Sequence, residues 1–196
     1  NPILEVRKGQ NEVRDVQNIA DILVDPEGGL DRRNHWDKTA HALLVGAILH
    51  VLYAEEQKSL AGVAHLLAHP ERSFRDTLEL MLHTDHLGTD EAPRVHPTVA
   101  QSARELLNKS ENERSGVLST ALSFLSLYRD PTVARAISTC DFRIDDLVCA
   151  CLLKEERPIE GGRKFRNSFM GSDRFCEPAS GGDFADKRIR GVLFDG

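Results

Sequence analysis

Apolar residues recur at helical spacing through most of the chain. Val13, Val16, Ala20 and Leu23 mark one face of a first helix, which Pro26, Gly28 and Gly29 break. The second pattern is the strongest: Trp36, Ala40, Leu43, Leu44, Ala47, Ile48, Val51 and Leu52 form one stripe, and Ala42, Val45 and Leu49 make the opposite face apolar too. A helix apolar all round is buried on all sides, so this one is predicted at the centre of a bundle with Trp36 as a core anchor. Ser59 predicts the cap of a short third helix carrying Leu60, Val63, Ala64 and Leu67. Ser73, with Asp76 three residues on, caps a fourth with Phe74, Leu78, Met81 and Leu82. Pro97 suits the first turn of a fifth, over Val99, Ala103, Leu106 and Leu107. Ser110 and Glu113 form a capping box for a sixth, with Val117, Leu118, Ala121, Leu122, Leu125 and Tyr128 on its apolar side. Asp130-Pro131 stops it and starts a last helix through Val133, Ala134 and Ile137. No alternating strand pattern precedes Asp141. The predicted fold is all-α: a compact multi-helix bundle of about seven helices.

Beyond residue 148 the periodicity fades. EGGRKFRNSFMGSD and PASGGDFADKR are rich in Gly, Arg, Asp and Ser, which predicts an irregular, poorly packed C-terminal tail over 149–196. The two parts also differ in charge. Residues 1–148 hold 16 basic and 23 acidic side chains, and 149–196 hold 9 and 8. An acidic surface is the wrong sign for binding through phosphates. With 40% apolar and 29% charged residues over 196 positions, one core can form. The longest strongly apolar run, 42–54, has 13 residues and is interrupted by His50. A membrane span needs roughly 20. The start, NPILEVRKG, lacks a signal-peptide pattern and a Met, which predicts a piece of something longer. Cys140, Cys149, Cys151 and Cys176 read as reduced thiols rather than a disulfide framework.

Few residues suggest chemistry of their own. His83, Asp85, His86, Asp90 and His96 crowd the loop 84–96, a donor set that suits zinc, but loop placement favours a polar surface. His65 and His69 stand at i, i+4 without the Glu of H-E-x-x-H, and Cys149-x-Cys151 lacks a fourth ligand at credible spacing. No metal site is predicted. Neither Cys140 nor Ser119 sits in a nucleophile signature. His35-Trp36 beside Arg32-Arg33 suggests base stacking, but at helical spacing Trp36 reads as core.

Three stretches resemble the all-α domain of type IV coupling proteins, the TraG-like conjugative DNA transfer family. They are NPILEVRKG with DVQNIADILVDPEG (15–28), HWDKTAHALLVGAILHVLYAE (35–55), and ERSGVLSTALSFLSLYRDPTVARAISTCDFRIDDLV (113–148). In that family DFRIDDL leads into a strand of the nucleotide-binding domain; here it leads into CACLLKEERPIEGG, which does not align. The resemblance implies a parent that is a hexameric ATPase using ATP and Mg, anchored in the bacterial inner membrane. Its all-α domain would be inserted on the cytoplasmic side and would contribute to recognising a relaxase, an adaptor or secreted protein cargo. No G-x-x-x-x-G-K-[ST] run occurs here, so no catalytic or cofactor-binding residue is expected in this piece. The expected role is a cytoplasmic, monomeric recognition module, or else a purely structural insert that spaces motor subunits. The acid balance favours a protein partner over single-stranded DNA, which would bind weakly. Within the loop, Asp85, His86, Asp90, Glu91, Arg94 and His96 are the expected partner-binding residues.

Overall fold

The computed structural model describes residues 1–28, 34–88 and 92–140. Within them the chain forms seven α-helices and no strand: α1 (Glu12–Val24), α2 (His35–Ala54), α3 (Leu60–Leu67), α4 (Phe74–His83), α5 (Pro97–Leu107), α6 (Glu111–Phe124) and α7 (Pro131–Ala136). Caps set most of the starts. Asn34 and Asp37 make a reciprocal box at α2, and the Ser59, Ser73 and Ser110 hydroxyls accept from the third residue on. At α6 only half the expected box forms, because the Glu113 carboxylate binds Lys109 at 2.8 Å and His35 at 3.3 Å instead.

Helix α2 is the axis of the bundle. Every residue from 43 to 52 is buried, and α1, α3, α5 and α6 all pack on it. A helix with no polar stripe over its central turns can only be satisfied by neighbours on each side. Gly46 admits α5 at close range: a Cβ there would stand 2.9 Å from the Ser102 Cβ and would overlap its hydroxyl. Helix α4 packs on α5. The segment before α1 joins the core as well, through a 3-10 turn over Pro2–Glu5 that buries Ile3 and Val6.

Two expectations are corrected. Trp36 is 43% exposed, not a core anchor. It lies in the first turn of α2, before the surrounding helices close in, and packs its six-membered ring over Gly116 of α6, where a Cβ would be 2.7 Å away. Helix α6 ends at Phe124, and the chain tightens into a 3-10 turn over Ser126–Arg129, so Tyr128 lies beyond the α-helix. The Arg32-Arg33 pair and the expected tail, 149–196, lie outside the described residues. No described helix is long and apolar enough to cross a membrane.

Candidate functional site

Residues 84–88 follow α4 and residues 92–96 lead into α5, and short polar contacts tie these two stretches together. The Asp85 carboxylate accepts from the backbone N–H of Gly88 at 2.7 Å and of Arg94 at 2.9 Å. Those N–H groups, Arg94 first, hold the carboxyl below the usual carboxylate range. The Arg94 carbonyl accepts from His86 N at 3.1 Å and Leu87 N at 2.9 Å. Gly88 is required by space: a Cβ there would collide with the Arg94 backbone nitrogen. Asp85 and Arg94 are exposed. Asp90 and Glu91 lie outside the described residues.

His86 and His96 are turned inward, 8% and 3% exposed. This corrects their expected place on a partner-facing surface. Both imidazoles find acceptors and donors in the interior that water would otherwise supply. The His96 Nδ1 accepts from the Thr98 N–H at 3.2 Å and caps α5, which leaves its proton on Nε2, 3.0 Å from the Glu12 Oε1. The His86 Nδ1 accepts from the His96 N–H at 3.3 Å, so its Nε2 donates to the Nδ1 of His50 at 2.9 Å. The His50 proton is then on Nε2, which faces Glu55 Oε1 at 3.7 Å. At the other end the Glu12 Oε2 accepts from the Tyr53 hydroxyl and from Gly9 N–H at 2.7 Å. Gly9 presents that N–H from a φ of +101°, a conformation suited to glycine. Lys8 lies over the Tyr53 ring, 4.7 Å from its centroid.

Ionisation follows from this packing. Burial, helped by the nearby His86 and Arg72, pushes His50 down to about 4. Burial also lowers His86, and the nearby His96 adds to the effect, while Asp85 and the Thr84 backbone oppose it. Burial, the bond to Glu12 and its negative charge push Tyr53 up to about 12. For Glu12, burial opposes ionisation, but the bonds from Tyr53, Gly9 and His96 outweigh it and lower its pKa. The result is a buried pair of imidazoles, His50 and His86, held toward the neutral form, beside an ionised Glu12 carboxylate bonded to His96.

The other sequence candidates separate. The His65 and His69 rings meet edge to face with centroids 5.2 Å apart, beside an open hollow of about 350 Å³ that Glu55, Gln57 and Arg72 also line. Cys140 is exposed and donates to Glu5 Oε1 at 3.3 Å; the remaining cysteines lie outside the described residues. Among the described residues no group of three or more His, Cys, Asp or Glu is placed to hold a metal ion.

A family model described as type IV secretory system conjugative DNA transfer matches residues 1–150. The chain belongs to that family. Two Escherichia coli relatives, each named conjugal transfer protein TraG, are 46% and 44% identical over 154 residues. That stretch is 76% of this chain and 23% of each relative, so the chain spans about a quarter of the curated relatives it matches. No solved structure matches. The family match therefore embraces the whole described bundle, including the loop and the carboxylate and imidazoles that anchor it.

Proposed function

We propose that residues 1–148 are the recognition module of a coupling protein. The module presents relaxase–DNA or protein cargo to a conjugative type IV secretion channel from the cytoplasmic side of an inner-membrane motor. ATP and Mg belong to the motor of the longer protein, a homohexamer, and this piece contributes neither nucleotide-binding nor catalytic residues. The observation that carries this reading is the charge of the family-matched bundle: 23 acidic against 16 basic side chains over 1–148. Such a surface steers basic protein segments toward it and repels the phosphate backbone. The loop between α4 and α5, with Asp85 exposed and tied to Gly88 and Arg94, is the surface we assign to the contact.

Gly88→Ala tests the assignment. The new Cβ breaks the closure of the loop without entering the core. Thermal unfolding of the full chain should move by no more than about 1 kcal/mol, while capture of the cognate relaxase should weaken roughly tenfold or more. Undiminished capture by the variant would remove the loop from the contact surface.

A further inference from the structure

We infer that Glu12, His50 and Tyr53 are positioning residues for the loop between α4 and α5, holding it through the His96–Glu12 bond and through the imidazole pair His50–His86, a pair that is broken when His50 or His86 takes a proton. The inference uses the proposed function only for its consequence on partner binding; the latch itself stands on the geometry.

The links run in one direction. Backbone N–H groups of Thr98 and His96 point at the Nδ1 atoms of His96 and His86, an arrangement that favours protons on Nε2, with the Thr84 backbone as the competing partner of His86. The His86 Nε2–H then donates a hydrogen bond to the His50 Nδ1, and the His96 Nε2–H donates one to Glu12. A second proton on His86 would turn its Nδ1 from acceptor to donor against the His96 N–H. One on His50 would set two N–H groups against each other at 2.9 Å. Each event replaces an attractive contact with a repulsive one between largely buried rings. Among the described residues, the other ties of residues 85–88 and 92–95 run within the loop, through Asp85 and Arg94.

The charged and titratable surroundings act in both directions. From the α1 side come Glu12 and Lys8, from α2 Tyr53 and Glu55, and from the turn before α4 Arg72. The loop adds Asp85 and the two imidazoles, and α5 presents a backbone N–H at Thr98. Glu55 is the carboxylate nearest to His50 and would favour its charged form, but at 3.7 Å it makes no hydrogen bond. Burial and Arg72 oppose it. The latch is therefore closed at neutral pH and opens on acidification.

Imidazole nitrogen NMR on the full chain reads the latch directly. At neutral pH, His50 and His86 should both appear as neutral Nε2–H tautomers. Amide exchange at His86, Leu87 and Arg94 should then rise about tenfold or more as the pH is brought below about 5, with α6 amides unaffected. His50→Leu should produce the same loop exchange at neutral pH, and His50→Gln, which restores an acceptor, should reverse it. An Nδ1–H tautomer at His50 or His86, as donation to the Thr84 carbonyl would demand of His86, would overturn the latch whether or not the variants fold. So would His50→Leu with loop exchange unchanged. Relaxase binding measured on His50→Leu separates the two ideas: loop amides released with binding intact would support the latch and sink the loop as recognition surface.

Discussion

Leu44→Asp is expected to unfold the helical domain. Leu44 is fully buried in the turn of α2 that neighbouring helices enclose on all sides. An aspartate there loses its water. The cost joins a lost apolar side chain to an unpaired buried charge, more than about 4 kcal/mol, against a usual domain stability of about 5–15 kcal/mol. Far-UV circular dichroism should show helix lost or a melt brought down by tens of degrees. Leu44→Met, which nearly keeps the volume, should cost less than about 1.5 kcal/mol. A stable, cooperative Leu44→Asp protein would mean that α2 is not the buried axis.

Glu12→Ala is expected to be the most damaging polar substitution. One carboxylate accepts from the Tyr53 hydroxyl, the Gly9 N–H and the His96 Nε2–H, and it is 6% exposed. Truncation leaves three donors without an acceptor, at about 1–3 kcal/mol each and with water entry recovering part of that. The expected loss in a chemical denaturation series is about 3 kcal/mol. The same network fixes the response to acid. Glu12 has a lowered pKa in the fold, so its contribution is present above the unfolded pKa and lost as pH falls through the folded one. His50 also has a lowered pKa, about 4 against an ordinary 6.5, so the unfolded chain takes up the proton first. Stability therefore declines as pH falls from 6.5 toward 4, by at most roughly 3 kcal/mol from this group. Both groups act in the same direction, and Glu12→Ala should flatten the part of the acid limb that belongs to Glu12. Unfolding free energy rising as pH is lowered from 6.5 to 4 would contradict the assignment of His50 as a buried neutral group.

The helices were legible because each rests on local signals. Ser59, Ser73 and Ser110 cap helices whose apolar stripes begin at once, and Pro97 and Pro131 stand at first turns, so sequence neighbours alone define the elements. Trp36 was misplaced because periodicity records which face a residue occupies, not how far the neighbouring helices extend toward its end. Ile3 and Val6 carry no periodicity, and only tertiary packing recruits them. The loop shows the limit most clearly. A run of His and Asp between helices looks like solvated surface, and for Asp85 and Arg94 it is. His86 and His96 look identical in the sequence, yet their partners are 36 and 84 residues away, at His50 and Glu12. His50 did leave a trace, as the polar interruption of the apolar run 42–54, but nothing local names what satisfies it. His96 is also outside the usual set of capping residues, so its role at the start of α5 had no sequence signature.

The claim that matters most for function is that this acidic bundle recognises protein rather than nucleic acid. Fluorescence anisotropy of the full chain, run in parallel with labelled single-stranded DNA and with labelled cognate relaxase at physiological salt, tests it most directly. The expected result is relaxase binding that exceeds DNA binding, with DNA affinity no tighter than the non-specific range of about 1–100 μM. Submicromolar binding of the DNA that weakens steeply as salt is added, with no binding of the relaxase, would contradict it.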